Sequence, residues 1–336
     1  MLDNLKRLCA ARGVTGDESE VATLIKELAG PYADEIRQDV IGNVIAFKKG
    51  VSSDKKVMAC AHMDEVGFYI NLINDEGLLK FTADGMDRRV VNGRRVLIGK
   101  DRIPGVIGTK PIHLQSEAER AVAPDVKLLF IDIGAKDKAE AEKKVQIGDT
   151  AIFDSAFVEF GEGRIKARAL DDRAGCCALL EAMKKKPAYD TYYVFSVLEE
   201  SGSHGARVAV QCIMPDYGIV IETTSCADFL EEREWNRSTI LGGGAVVYLM
   251  ESSAYYKRET VEKITSTAGA HGIPWQYKTV TVGGTDAGSL QRSGLGAEVM
   301  TIATPCRNLH SGACTMCYSD FEATCALLAA LLDTKF

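Results

Sequence analysis

Four apolar runs of this sequence lead directly to His, Asp or Glu side chains. The runs are VMACA, YYVFSVL, YGIVI and EVMTIATPCRNL. The side chains that follow them are His62, Asp64, Glu199, Glu200, Glu222 and His310. Short, uninterrupted apolar runs are typical of buried β-strands. Because open α/β sheets bind their ligands beyond the carboxyl ends of the strands, we expect these side chains to meet at one edge of a sheet.

A further acidic pair, Asp171 and Asp172, follows the strand-like segment RIKARAL and begins a predicted helix. Imidazole nitrogens and carboxylate oxygens are ligands that suit zinc, cobalt and manganese. Carboxylates that converge without cations would repel one another, and no Lys or Arg adjoins Glu199 or Glu200 in the sequence. The set therefore predicts a pair of divalent metal ions, although Asp172 also fits an ordinary charged first turn of a helix.

Other chemistries lack their motifs in this sequence. It contains neither H-E-x-x-H nor G-x-S-x-G, and the segment that begins at Gly93 has the wrong loop length for a phosphate-binding P-loop. The remaining histidines, His113, His204 and His271, are predicted to be structural or exposed. The doublet Glu231-Glu232 is predicted to be an ordinary solvated loop.

Ten cysteines are scattered along the chain, several of them within apolar runs. In a long chain without a recognisable signal peptide, this pattern predicts buried and reduced thiols. Cys314 and Cys317 form a single C-x-x-C pair, which without a second pair does not predict a structural zinc site. A redox or metal role for Cys314 and Cys317 stays open.

The length and bulk composition suit a globular protein of two domains. A chain of 336 residues with 46% hydrophobic and 26% charged residues can build sizeable cores. Its net charge of -7 does not favour binding to nucleic acid or anionic membranes. No apolar run approaches the ~18 residues of a membrane span. We therefore expect a cytoplasmic protein with neither nucleic-acid nor membrane partners.

The elements around these residues alternate between helices and strands. A predicted helix begins near Asp17, which would form a capping box with Glu20. The alternation predicts an α/β fold with a mixed, mostly parallel sheet flanked by helices. Short strand-like pieces dominate the middle of the chain. The sequence therefore predicts a catalytic domain of residues 1–66 and 161–336, interrupted by a small β-rich insertion at residues 67–160.

Five strings in the sequence carry a family resemblance. In chain order they are AHMDEVGF, ALDDRAGC, LEESGSHGA, GGTDAG and PCRNLHS. With these strings the chain resembles the glutamyl aminopeptidase family, which includes the tetrahedral, self-compartmentalising (TET) aminopeptidases. The resemblance spans nearly the whole chain. It implies a zinc-exopeptidase-like catalytic domain and a PDZ-like dimerisation domain in the insertion.

The resemblance also implies a role for each metal-binding side chain. By this resemblance Asp171 bridges two metal ions, His62 and Glu222 complete one site, and Glu200 and His310 complete the other. Members of the family often have Asp at the position of Glu222, so this ligand would reach its metal from a longer side chain. The implied cofactors are two divalent ions for each subunit, zinc or cobalt, with manganese as an alternative.

Catalytic and substrate-binding roles follow from the same resemblance. It implies that Glu199 is the general base and that Asp64 orients a ligating imidazole, as carboxylates commonly do. Thr285 and Asp286 lie in the turn GGTDAG, which is a candidate for substrate contact. Arg307, in PCRNLHS, is another substrate-binding candidate.

The implied activity is that of a metal-dependent aminopeptidase, which removes the N-terminal residue from short peptides. The implied self-association is a homodimer or a tetrahedral dodecamer. The residues alone leave three other functions open. A carboxypeptidase or deacylase could use the same scaffold, and a glycoside hydrolase could use two of the acids to flank a sugar bond. A non-catalytic scaffold protein is the third.

Overall fold

The computed structural model describes residues 1–228 and 236–335 of the chain. The doublet Glu231-Glu232, predicted to be a solvated loop, lies outside the described residues. Within them the strands form an eleven-stranded mixed sheet and a separate, closed barrel. No helix in this described part of the chain combines the length and apolar character needed to cross a membrane.

Helices and strands alternate along most of the chain. The helices are α1 (Leu2–Ala10), α2 (Ser19–Ala29), α3 (Arg88–Val91), α4 (Glu117–Arg120), α5 (Lys138–Ala141), α6 (Leu170–Ala182), α7 (His204–Ile213), α8 (Arg258–Ala270), α9 (Asp286–Arg292) and α10 (Tyr318–Asp333). The strands are β1 (Glu35–Gln38), β2 (Val44–Lys48), β3 (Ser52–His62), β4 (Phe68–Ile73), β5 (Leu79–Ala83), β6 (Arg95–Ile98), β7 (Ile103–Gly108), β8 (Phe130–Asp132), β9 (Thr150–Phe153), β10 (Val158–Phe160), β11 (Arg164–Ala167), β12 (Tyr189–Ser196), β13 (Tyr217–Ser225), β14 (Ala245–Tyr248), β15 (Trp275–Lys278), β16 (Glu298–Arg307) and β17 (Cys314–Cys317).

The centre of the large sheet is parallel, whereas most of its outer pairings are antiparallel. Strand β3 pairs in parallel with β12 and β13, and β13 pairs in parallel with β16. The outer strands β1, β2, β17, β11 and β10 join by antiparallel pairings. The sheet is mixed, as predicted, and among the described residues its parallel pairings are those of the central strands and of β14 with β15. Short turns link several outer strands, such as β10 and β11, and a short turn can join only antiparallel neighbours.

Helices cover both faces of the parallel strands. Alternate residues of β3 face opposite sides, so Ala59 and Ala61 pack in the core that includes α1, α6 and α10. Met58 and Cys60 pack on the other side, in the core that includes α7 and α9. A strand that is buried on both faces must be apolar at successive positions. This requirement explains why the run VMACA could be recognised as a strand, and the helix-flanked α/β arrangement is confirmed.

The barrel has its own apolar core. Its strands pair in the closed order β4-β5-β8-β7-β6-β9. Phe68 packs edge-on against Phe81 and Phe153, with ring centroids 5.3 and 5.0 Å apart. The barrel strands end at Phe153, and Val158–Phe160 pairs with β11 of the large sheet, although the predicted insertion extends to residue 160. The PDZ-like character of the insertion stays a prediction.

Candidate metal centre and active site

Five elements bring the predicted ligands and the predicted base to one edge of the large sheet. β3 ends at His62, and β13 carries Glu222 in its second half. Glu199 follows the end of β12, Asp171 lies in the first turn of α6, and His310 follows the end of β16. Since β3, β12, β13 and β16 run parallel, their carboxyl ends lie at the same edge, where α/β sheets bind ligands.

The carboxylate of Asp171 lies between two imidazoles. Its Oδ1 is 3.3 Å from Nε2 of His62, and its Oδ2 is 3.3 Å from Nε2 of His310. Farther out, Nε2 of His62 is 3.6 Å from Oε2 of Glu222, and Nε2 of His310 is 3.3 Å from Oε2 of Glu200. We call these five residues the ligand row, because carboxylates and imidazoles alternate along it.

Two groups of side chains here are compact enough to hold a metal ion. One comprises His62, Asp171 and Glu200, and the other comprises His62, Asp172 and Glu222. In each group the donor atoms lie within 4.8 Å of one another. Asp172, which in the sequence also fitted an ordinary helical turn, is fully buried and belongs to the second group. The tertiary structure therefore adds Asp172 to the candidate metal centre.

Two buried carboxylate oxygens of the compact donor groups lack hydrogen-bond partners among the described residues. They are Oε1 of Glu222 and Oδ2 of Asp172. Leaving a buried acceptor unpaired costs about 1–3 kcal/mol, and the cost is larger for a charged group. A divalent cation would satisfy such oxygens, and the imidazole and carboxylate donors suit zinc, cobalt and manganese. The residues present therefore fit a metal centre.

Burial and mutual repulsion act on the acids of this cluster. Burial raises the pKa of Glu199 to about 8, and the carboxylates of Asp286 and Glu200 contribute in the same direction. Burial also raises the pKa of Glu200 to about 7, with Asp171 as the next contributor. The pKa of Glu222 lies well above its ordinary value, again chiefly because of burial. Such shifts are expected of acids that are crowded together, and they are characteristic of functional sites.

The imidazoles are shifted by the same carboxylates. Burial lowers the pKa of His310, but Asp171 and Glu200 outweigh burial and raise it to about 10. Burial likewise opposes protonation of His62, yet Glu222 and Asp171 raise its pKa well above the ordinary value. The pKa of Asp171 is lowered despite burial, because both imidazoles contact it. The carboxylates around each Nε2 atom therefore favour a positive charge at that position.

Asp64 connects one imidazole to the loop that carries two predicted site residues. Its Oδ1 lies 3.5 Å from Nδ1 of His62. The same carboxylate accepts the backbone N–H groups of Glu199 and Glu200 at 3.1 and 3.2 Å, and the hydroxyl of Thr15 at 2.9 Å. Because Asp64 is fully buried, these contacts are shielded from water. Nδ1 of His62 lies closer to the backbone carbonyl of Asp64, at 3.2 Å, and the orienting role of the Asp64 carboxylate stays a prediction.

A buried ion-pair network supports the start of α6. The guanidinium of Arg173, which is fully buried, donates to the carbonyls of Met63 at 2.9 Å and Ala11 at 3.0 Å, and to Glu65 at 3.3 Å. Arg168 also pairs with Glu65. Removing one partner of a buried ion pair typically costs ~3–5 kcal/mol. The network therefore constrains the backbone on both sides of the central carboxylate of the ligand row.

A cavity of about 600 Å³ opens over the ligand row. Its walls include all five residues of the row together with Glu199, Ser203, Tyr248, Lys278 and Thr285. Small-ligand sites typically have volumes of ~300–1,000 Å³. The cavity can therefore accept a small molecule or the end of a peptide.

The three predicted substrate-binding residues occupy different positions. Thr285 lines the cavity, and its hydroxyl lies 3.1 and 3.0 Å from the two carboxylate oxygens of Glu251. Asp286 is fully buried and accepts a hydrogen bond from a serine hydroxyl of β12 at 2.5 Å. Arg307 forms a two-bond ion pair with Asp228, at 2.7 and 2.8 Å. Within the described residues, the structure brings Thr285 to the cavity wall but not Asp286 or Arg307.

Lys278 is a cavity residue that the sequence did not single out. It is 6% exposed, and its Nζ lies 4.2 Å from the ring centroid of Tyr248 and donates to the carbonyl of Val282 at 3.0 Å. Burial lowers the pKa of Lys278, and the carboxylates of Glu251 and Glu222 act in the opposite direction. Lys278 ends β15, a short strand of sequence WQYK without the apolar run that marked the other strands. Only the fold could bring it to the site.

The C-x-x-C pair lies apart from the ligand row. Cys314 and Cys317 lie in β17, where both are buried and free. Among the described residues, the compact donor groups that could hold a metal contain neither cysteine. Their burial is consistent with the predicted reduced thiols.

Comparisons with known proteins identify the family. The profile of the M42 glutamyl aminopeptidase family matches residues 42–327. The lysyl aminopeptidase of Pyrococcus furiosus is 31% identical, and the alignment covers 98% of this chain and 96% of that protein. The TET1 peptidase of Pyrococcus horikoshii, which can assemble into a tetrahedron or a large octahedral shell, has a TM-score of 0.88 at 32% identity and 99% coverage of each chain.

Another similar structure carries a different description. A protein of Thermotoga maritima described as an endoglucanase has a TM-score of 0.82 at 36% identity, with coverage of 98% of this chain and 96% of that chain. The family profile spans more than three quarters of the present chain, and the archaeal lysyl aminopeptidase aligns with nearly all of it. On this basis the chain belongs to the M42 glutamyl aminopeptidase family.

Proposed function

We propose that this protein is a metal-dependent aminopeptidase that uses two divalent ions, zinc or cobalt with manganese as an alternative. The observation that carries the proposal is the position of Asp171, which lies 3.3 Å from each of two imidazoles. A carboxylate whose two oxygens face different imidazoles supports a bridging role. His62 and Glu222 would complete one site, and Glu200 and His310 would complete the other.

Glu199 is proposed to transfer the proton of the reaction. Bound ions would polarise the scissile carbonyl and lower the pKa of a water molecule toward neutrality. Glu199 would accept the proton of the attacking water and donate it to the leaving amine. Ser203 donates a hydrogen bond to Oε1 of Glu199 at 3.1 Å, which supports a defined orientation of the carboxylate.

The variant Glu199→Gln tests this proposal. Glutamine has nearly the same shape but cannot accept the proton, so we expect kcat to fall at least ~100-fold while both metal ions stay bound. Turnover is measured with aminoacyl chromogenic substrates, and metal content is measured by mass spectrometry. Glu262→Gln, at an exposed position of α8, is the control. Near-normal turnover of Glu199→Gln would show that Glu199 is not the base.

The free amino group of the substrate is proposed to bind beside the carboxylates of the metal centre. The cavity of about 600 Å³ fits the end of a short peptide rather than a folded chain. A carboxypeptidase or deacylase on the same scaffold would not require that amino group. Matched peptides with free and acetylated N-termini distinguish these functions. We expect hydrolysis of the free peptides alone, and equal rates on both would exclude an aminopeptidase.

A glycoside hydrolase is the second candidate, because the similar Thermotoga maritima protein is described as an endoglucanase. That chemistry requires two carboxylic acids across a sugar bond and no cluster of imidazoles with carboxylates. The compact donor groups therefore favour the metallopeptidase. We expect a chelator to abolish peptide hydrolysis and added zinc or cobalt to restore it. Hydrolysis of a glucan that persists in chelator would favour the glycosidase instead.

The inserted barrel is proposed to be a PDZ-like dimerisation domain, within a homodimer that can assemble further into a tetrahedral dodecamer. Four apolar side chains on the connection between β7 and β8 are 56–69% exposed. They are Ile112, Leu114, Val122 and Leu128. Exposed apolar surface of this kind favours a protein partner, and the TET1 peptidase of Pyrococcus horikoshii can assemble into a tetrahedron.

Light scattering tests this assembly. We expect the wild-type mass to be that of a dimer or dodecamer, and Ile112→Glu combined with Leu114→Glu to reduce it. Val40→Glu, at a fully exposed position of the large sheet domain, should leave the mass unchanged. A monomeric wild-type protein would contradict the proposal.

A further inference from the structure

One loop of the barrel insertion contacts the ligand row. The backbone carbonyl of Gly85, two residues after β5, lies 2.7 Å from Nδ1 of His310. A Cβ placed on Gly85 would lie 3.8 Å from the same Nδ1 and 3.8 Å from Oε2 of Glu200. The insertion therefore forms part of the wall around Glu200 and His310, although these two residues belong to the large sheet domain.

The Gly85 contact selects one form of the imidazole. A carbonyl oxygen can only accept a hydrogen bond, so Nδ1 of His310 must carry the hydrogen. In the neutral imidazole, the lone pair then lies on Nε2, the atom that is 3.3 Å from both Asp171 and Glu200. Metal-ligating imidazoles are commonly oriented in this way by an acceptor on their other nitrogen. The Gly85 carbonyl thus prepares His310 to bind a metal through Nε2.

The chain next to β9 holds the same loop from a second side. A Cβ placed on Gly312, two residues after His310, would lie only 3.0 Å from the ring of Phe153. The hydroxyl of Ser155 donates to the carbonyl of Gly312. The loop that carries His310 is therefore packed between two segments of residues 67–160.

We propose that Gly85 is a positioning residue for the metal site of Glu200 and His310, and that its carbonyl sets how tightly this site holds its ion. The inference rests on the proposed two-metal function. Gly85 has φ +71°, a conformation that side-chain-bearing residues rarely adopt. A side chain at this position would therefore turn the carbonyl away from Nδ1, and the neighbouring Val66 would be only 3.2 Å from the added Cβ.

The variants Gly85→Ala and Gly93→Ala form a matched pair. Gly93 lies in the same insertion with φ +73°, and an added Cβ there would meet nothing within 4 Å. Both variants place a side chain at nearly the same positive φ, but only Gly85 contacts the ligand row. Binding is measured by calorimetric titration of chelator-treated protein with cobalt. We expect Gly85→Ala to lower the affinity for one of the two ions ~10–100-fold, the effect typical of residues that orient ligands. Gly93→Ala should bind both ions as the wild type does.

Two outcomes of the titration would overturn the inference. The first is that Gly85→Ala binds both ions with wild-type affinity. The second is that Gly85→Ala and Gly93→Ala lose metal affinity equally, which would indicate general strain of the insertion. A wild-type protein that binds fewer than two ions would instead contradict the proposed function. Nitrogen NMR of the zinc-loaded wild-type protein gives a second test that depends on no variant. We expect His310 with hydrogen on Nδ1 and metal on Nε2, and the opposite tautomer would also overturn the inference.

Discussion

The two imidazoles of the ligand row lie in different surroundings. The side chain of His62 is 2% exposed, whereas that of His310 is 36% exposed. Across its Nδ1, His62 faces the backbone carbonyl of Asp64 at 3.2 Å and the carboxylate of Asp64 at 3.5 Å, both within the same domain. His310 faces the carbonyl of Gly85, which belongs to the insertion. The His62 end is therefore held within one domain, and the His310 end depends on contact between two parts of the chain.

This difference predicts two metal sites of unequal strength. Ligands in a close-packed interior cannot move without disturbing their neighbours. His62 is also shared by both compact donor groups, so more of the centre depends on it. We therefore expect the ion at the His62 end to be bound more tightly, and the ion at the His310 end to be lost first.

Alanine substitutions at the two histidines should give the largest contrast. His62→Ala should retain little metal after dialysis, because it removes a ligand of the tighter site and leaves only the weaker ion at the His310 end, and we expect it to lower the affinity for the tighter ion by more than the ~100-fold limit typical of residues that only orient ligands. His310→Ala should keep one ion. Metal content is measured by mass spectrometry after dialysis, with His271→Ala at the end of α8 as the control. Equal metal content in His62→Ala and His310→Ala would contradict the unequal sites.

Substitution of Asp64 should have an intermediate effect that is confined to one end of the row. Asp64→Asn keeps the shape of the side chain but removes the charge that faces Nδ1 of His62. In calorimetric titration, we expect the affinity for the tighter ion to fall ~10–100-fold, while the affinity for the other ion stays unchanged. Asp320→Asn is the matched control, since Asp320 is equally buried and also accepts two backbone N–H groups, those of Gly242 and Gly244.

The smallest expected effect is on the pH dependence of stability, and it concerns Glu18, a buried acid that contacts the segment just before Glu199. Oε1 of Glu18 accepts the N–H groups of Gly16 at 2.7 Å and Leu198 at 3.4 Å. Burial raises the pKa of Glu18 to about 7, from an ordinary value of 4.5. The folded state therefore binds more protons than the unfolded state between these values. Stability from this group is fully present below pH 4.5 and is lost as pH rises through 7.

Glu18→Gln should remove this loss. We expect the free energy of unfolding of Glu18→Gln, taken relative to that of the wild type, to be larger at pH 8 than at pH 5 by about 2 kcal/mol, so the variant becomes relatively more stable as pH rises. Urea unfolding of metal-loaded protein at the two pH values measures this difference. Glu27→Gln, on the exposed face of α2, is the control. The same pH dependence in Glu18→Gln and the wild type would contradict the raised pKa.

Local sequence patterns predicted the central strands better than the start of a helix. β3 was visible because a strand buried on both faces must be apolar at every position. The predicted capping box of Asp17 and Glu20 is absent, because α2 begins at Ser19 without a side-chain cap. Asp17 instead accepts a hydrogen bond from Thr150 at 2.7 Å and pairs with Arg12. The side chain of Asp17 is therefore engaged by other residues, one of them distant in sequence, and does not cap the helix as predicted.

By itself the sequence determined that His, Asp and Glu side chains, the candidate ligands, lie at strand ends, because apolar runs and the polar residues that end them are local features. Only the tertiary structure decided which further residues join the site. Asp172 is placed beside His62 and Glu222, and Gly85 contacts His310 across 225 positions of the chain. A contact over that distance leaves no local pattern, because it depends on how two separately folded parts of the chain pack together.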